Sequence, residues 1–236
     1  MIEELFREDA YLQTCGATVT AITERGGVVM DRTVFYPTAG GQPGDTGSLK
    51  LADGRLLAIA TTVYDADKLT IVHVPAEGQQ LPLIGETVEC QIDWPRRHRL
   101  MRAHTGLHLL CSLVKFPVTG GSVGEAEGRL DFDIPDAMLD KDELTAQLNT
   151  LIVGDHQVSH RWISDEEMAA RPELIRTMSV KPPTGRGRVR LVDIAGVDLQ
   201  PCGGTHVRAT SEIGVATVTK IEKKGAINRR IRVEFA

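Results

Sequence analysis

At Asp93-Trp94-Pro95 the chain stops being written in one structural period and starts in another. Before that point the runs ATVTAIT, GGVVMDRTVFY, RLLAIATTVY, KLTIVHV and ETVECQIDW are rich in β-branched residues and are punctuated by GG, DG, EG and IG turn signals. Such runs suit a pleated, half-buried surface and read as strands. After it, RRHRLMRAHTGLHLLCSLVK spaces its apolar residues for a helix that stops before Phe116-Pro117. Asp93 is its expected N-cap and Pro95 lies in its first turn. The strand series, after a short helical lead-in, predicts a small barrel or sandwich over 1–93.

The remainder alternates. TGGSVG reads as a glycine turn, GRLDFDI as a strand, DKDELTAQLNTLIV as a helix and QVSHRWI as a strand. A short helix follows, opened by the capping box Ser164-x-x-Glu167. RVRLVDI, VATVTKIEK and NRRIRVEF are further strands, the last two joined by a KGAIN turn. The expected fold class is therefore α+β: an N-terminal small β-barrel domain over 1–93, then an α+β domain over 94–236. The second domain is expected to hold a largely antiparallel sheet and the long helix.

The 236 residues are 42% hydrophobic and 25% charged, which excludes disorder, collagen and coiled coil as the main architecture. No apolar run approaches the roughly 20 residues of a membrane helix. The start, MIEELFREDAYLQ, is acidic and amphipathic and lacks the basic opening and apolar middle of a signal peptide. Cys15, Cys90, Cys111 and Cys202 are too scattered for a disulfide framework. The reading is a cytoplasmic protein with no membrane attachment and no evident obligate protein partner.

The net charge of −5 hides an asymmetry. Residues 1–93 hold 6 Lys/Arg against 14 Asp/Glu, 94–170 hold 8 against 12, and 171–236 hold 13 against 6. The basic last third is either a local phosphate-binding face or a solvated charged surface. Lys181, Arg186, Arg188, Lys223, Lys224, Arg229 and Arg230 are the candidates for phosphate contacts, while Arg190, Arg208 and Arg232 lie where ion pairs are an alternative. Aromatic residues make up only 4%, so base stacking is not the expected main mode.

His104 and His108 are one helical turn apart and share a face. A Glu beside the first of such a pair serves as base in zinc peptidases; here that place holds Thr105, which disfavours a peptidase. Far along the chain, Cys202-Gly-Gly-Thr-His206 offers a thiolate and an imidazole across a tight glycine turn. Together they make a set of three histidines and one cysteine, with zinc favoured over magnesium or calcium by the thiolate. One Zn2+ per chain is expected. His73, His98, His156 and His160 show no comparable pattern, and the last two are expected at the surface. The glycine-rich stretch Tyr36–Ser48 either approaches a ligand closely or is a plain connection.

DWPRRHRLMRAHTGLHLL, GRLDFDI, DLQPCGGTHV, and SEIG followed by KKGAINRRIRVEF closely resemble the editing domain of alanyl-tRNA synthetases. They are more similar still to the free-standing alanyl-tRNA editing proteins called AlaX. YPTAGGQPGDTG resembles the glycine-rich loop of the medium-sized members, which carry a β-barrel domain before the editing domain. The resemblance covers nearly the whole chain. It implies trans-editing: hydrolysis of the ester between serine or glycine and the terminal adenosine of alanine tRNA, at the acceptor end. It places zinc on His104, His108, Cys202 and His206.

Small steric differences are worth only about 1–3 kcal/mol, and serine is larger than the alanine that must be spared. Selection must therefore read the hydroxyl, by leaving a polar group unpaired when alanine enters. The resemblance puts Thr119 where the synthetase has a Gln, ahead of the pair Gly121 and Ser122. These three are the candidate recognition residues, a satisfied turn being the alternative. Gly40, Gly41, Gly44 and Gly47 are expected at the inter-domain face, bordering the RNA entrance or only fixing packing. The rival to a deacylase is a zinc-stabilised tRNA-binding module without hydrolytic activity.

Overall fold

The computed structural model describes residues 2–134, 139–175, 187–225 and 227–236. The chain divides into two compact units, Met1–His98 and Arg99–Ala236. Helix α1, Trp94–Leu113, begins in the first and continues into the second.

In the first unit, β1 (Glu3–Glu4) pairs in parallel with β4 (Arg32–Thr33). The expected helical lead-in is only a 3-10 turn, Leu5–Arg7, because its Phe6 is buried edge-on against Tyr36. A closed barrel follows from β2 (Thr14–Ile22), β3 (Val28–Met30), β5 (Gly47–Leu51), β6 (Leu56–Tyr64), β7 (Ile71–Pro75) and β8 (Thr87–Ile92). Its order is β2-β3-β7-β6-β5-β8. Alternation makes it: Val88, Cys90 and Ile92 of β8 point inward with Leu57 and Ile59 of β6 and with Leu49 and Leu51 of β5.

Two expectations change here. GGVVMDRTVFY is not one strand: it breaks at Asp31, whose carboxylate accepts the Thr18 N–H at 2.8 Å. GSLKL, expected to begin in the loop, is strand β5. It lacks β-branched residues, and its neighbours β6 and β8 dictate its conformation.

The second unit holds a four-stranded sheet, β14-β15-β10-β9, and a three-stranded sheet, β11-β12-β13, both antiparallel. The strands are β9 (Val118–Val123), β10 (Glu127–Asp133), β11 (Val158–Ser164), β12 (Arg188–Ile194), β13 (Asp198–Pro201), β14 (Ala216–Lys223) and β15 (Asn228–Phe235). TGGSVG is therefore mostly strand rather than turn. As an edge strand it tolerates glycine, and a Cβ on Gly121 would come within 2.9 Å of Leu130. Strand β13 was not evident from its sequence, being short and closed by Pro201 at a sheet edge.

Asp93 caps α1, its carboxylate accepting the Arg96 N–H at 3.1 Å. The helix lies close on the four-stranded sheet, since a Cβ at Gly106 would meet the Phe235 ring at 2.2 Å. Helix α2 (Lys141–Val153) is capped by Asp140, and Asn149 completes the start of β14 by bonding both N–H and C=O of Ala216. Helix α3 (Asp165–Ala169) starts at the Ser164–Glu167 capping box. Among the described residues no helix is long and apolar enough to cross a membrane.

Candidate metal centre

The long helix supplies His104 and His108, and the loop leaving β13 supplies Cys202 and His206. Their ligand atoms all lie within 4.8 Å of one another. Cys202 Sγ is 3.3 Å from His206 Nε2 and 3.6 Å from His104 Nε2. A tetrahedral zinc shell, with Zn–N of about 2.0 Å and Zn–S of about 2.3 Å, has edges of roughly 3.3–3.8 Å. The donor set and the two Cys202 separations fit such an ion, and the soft thiolate favours zinc.

The loop is held by its own sheet. Cys202 N–H donates to Arg190 C=O at 3.0 Å, and the Arg190 guanidinium returns bonds to the carbonyls of Cys202 and Gly204 at 3.1 and 3.0 Å. Gly204 N–H points at the Cys202 sulfur, 3.4 Å away. Arg190 thus braces the loop.

His206 and His108 each have an outer partner. Thr105 Oγ1 lies 3.1 Å from His206 Nδ1. Across the site, Gln200 Nε2 is 3.0 Å from His108 Nδ1 and donates to Asp198 Oδ2 at 2.6 Å, while Asp198 Oδ2 is 3.5 Å from His108 Nδ1. Asp198, Gln200 and Cys202 alternate along one strand and its extension, so a period of two carries all three to one side. That alternation in DLQPC was the available sequence signal for Asp198 and Gln200.

Burial and charge set the protonation of the cluster. Burial pushes the Cys202 thiol up, but His104 and His206 outweigh it and hold the group well below the ordinary thiol range. Burial lowers His206, and the neighbouring His104 lowers it further. Burial also lowers His108, yet Asp198 and Cys202 reverse this and push it up to about 9. The Cys202 thiolate is ready to bind a soft cation, while His108 must give up its proton to do so, so binding releases a proton.

The other candidates are dispersed. Thr119 Oγ1 donates within the four-stranded sheet, facing Asn228 Oδ1 at 3.0 Å and Asp131 C=O at 3.2 Å. Gly121 and Ser122 stand opposite Leu130 and Arg129 in the same sheet. Gly40 and Gly41 occupy an exposed turn with φ of 56° and 84°. Gly44 is packed so that a Cβ would lie 1.9 Å from Thr62 C=O, and Gly47 opens β5 against Gln91.

Among the basic candidates, Lys223 and Lys224 are exposed. Arg229 donates to the Asn228 carbonyl at 3.2 Å, and Arg230 forms an ion pair with Asp131 at 2.7 Å. Arg188 stacks on Trp162, 4.1 Å from the ring centre. Lys181 and Arg186 lie outside the described residues. Arg232 is held between Glu127 and Glu222 at 2.7 and 3.0 Å.

Comparison with known proteins follows the same lines. The family model described as threonyl and alanyl tRNA synthetase second additional domain matches residues 189–232, and that described as tRNA synthetases class II (A) matches 10–96. The alanyl-tRNA editing protein AlaX-M of Methanosarcina mazei is 34% identical, covering 98% of this chain and 95% of its own. That of Methanosarcina barkeri is also 34% identical, over 98% of both chains. The alanine–tRNA ligase of Pyrobaculum neutrophilum is 33% identical over 93% of this chain, which spans only 25% of the ligase. Related to the medium-sized editing proteins along almost their entire length, the chain belongs to the AlaX family of alanyl-tRNA editing proteins.

Proposed function

We propose that this protein is a trans-editing hydrolase that deacylates alanine tRNA mischarged with serine, and also with glycine, using one zinc ion held by His104, His108, Cys202 and His206. The observation that carries this reading is the convergence of those four donor atoms within 4.8 Å from two distant stretches of a chain whose relatives are named as alanyl-tRNA editing proteins. When bound, zinc supplies Lewis-acid polarisation of the ester and activation of water.

The chain's own groups have separate tasks. Cys202 is a ligand, held as thiolate by the surrounding imidazoles, and not a nucleophile that forms a thioester. Thr119, with Gly121 and Ser122, reads the serine hydroxyl, so that alanine leaves a polar group unpaired. Lys223, Lys224, Arg188, Arg229 and Arg230, with Lys181 and Arg186, contact the phosphates near the acceptor end. The synthetase-type family match over 189–232 supports RNA as the partner.

The test is deacylation of seryl-, glycyl- and alanyl-tRNA built on the alanine-tRNA body, with metal content measured on the same sample. Release of serine with alanine spared is the expected result. A zinc-loaded protein that binds this tRNA and releases nothing would instead be a binding module with a structural ion.

A further inference from the structure

Thr105 stands at the position where a zinc peptidase helix carries its catalytic base. It is wholly buried, and its hydroxyl meets three partners. It lies 2.9 Å from Met101 C=O, 3.3 Å from Val207 N–H and 3.1 Å from His206 Nδ1. A hydroxyl has one proton to give and two lone pairs to receive with. The bond to the carbonyl four residues back is the usual one for a helical threonine and uses the proton. With the proton placed there, both remaining contacts point toward the oxygen as donors: Val207 N–H and, in the tautomer proposed below, His206 Nδ1–H.

We propose that Thr105 is a positioning residue of the metal centre, holding His206 in the tautomer whose bare Nε2 faces Cys202. The bond decides which nitrogen carries the proton, and with it which nitrogen has a lone pair for a metal. Nε2 is the nitrogen that faces the cluster, 3.3 Å from Cys202 Sγ. The same hydroxyl bonds Val207 N–H, so it also fixes the backbone immediately after His206. One side chain on α1 thereby sets both the orientation and the tautomer of a ligand contributed by a different part of the chain. Outer partners of this kind typically change metal affinity 10–100-fold when removed.

The inference rests on the zinc reading above, and the experiment separates the two. Zinc affinity is measured on the full chain by competition with a chromogenic chelator for the wild type, Thr105→Val and Thr105→Ser. The protonated nitrogen of His206 is read on the 15N-labelled, zinc-loaded protein by long-range 1H–15N correlation. The expected result is Nδ1–H on His206 in the wild type, zinc binding about 10–100-fold weaker in Thr105→Val, and recovery in Thr105→Ser. Wild-type protein that takes up no zinc overturns the metal reading and this inference with it. Wild type that binds zinc, with Thr105→Val equally tight, overturns the inference alone. Should Thr105→Val fail to fold, the wild-type spectrum decides, because a proton on Nε2 of His206 is incompatible with the proposed role.

Discussion

Arg97 Nε sits 3.0 Å from both carboxylate oxygens of Asp45, with side-chain exposures of 0% and 2%. The pair joins the first turn of α1 to the end of the glycine-rich loop. Further hydrogen bonds surround it: Arg97 also donates to Val34 and Ala10 carbonyls at 2.7 and 2.9 Å, and Asp45 accepts Tyr36 N–H at 2.6 Å. Replacing a buried pair with apolar groups is often neutral, whereas removing one partner strands the other charge. Asp45→Ala should therefore destabilise the protein by about 3–5 kcal/mol. Urea unfolding measures this, and a loss under 1 kcal/mol would show that Arg97 finds water.

His73 gives the barrel a pH limit. It is fully buried, bonded to Thr33 Oγ1 at 2.8 Å and to Val28 C=O at 3.0 Å. Burial holds its pKa down at about 4, against 6.5 for the free side chain. The unfolded chain thus takes up the proton first, and stability present above pH 6.5 is lost as pH falls toward 4. A change from 6.5 to about 4 corresponds to about 3 kcal/mol. Urea midpoints between pH 7 and 4 should fall less steeply in His73→Gln than in the wild type, and equal slopes would assign the acid sensitivity elsewhere.

Metal removal and ligand loss should have the same consequences. Chelation, or His108→Ala, is expected to abolish serine release and lower the melting temperature, since an ion bound only by the folded state stabilises it. The variant should not regain stability when zinc is added back. A His108→Ala protein that keeps stoichiometric zinc would remove His108 from the ligand set.

Thr119→Val should retain zinc and blur serine against alanine, by about fivefold if one neutral hydrogen bond of roughly 1 kcal/mol is lost. Relative kcat/KM on the two esters reads this directly. Full selectivity in the variant would leave its hydroxyl the purely structural task of bonding Asn228 and Asp131.

Legibility followed the range of the forces involved. His104 and His108 could be placed on one face from sequence because helical periodicity is local, and the capping residues Asp93 and Ser164 act within a turn. Strands such as β6 and β8 were evident because their own side chains alternate. By contrast β5, β9 and β13 carry little intrinsic preference and are strands because neighbours supply the other half of each hydrogen bond. The motif also identified Cys202 and His206 as donors, but only tertiary structure brings them to the helix. The same holds for Thr105 on His206, Asp198 and Gln200 beside His108, and Arg190 on the loop carbonyls. By itself the sequence determined which atoms can bind a metal; folding decided which protons, carbonyls and charges surround them, because those contacts join residues that no local period relates.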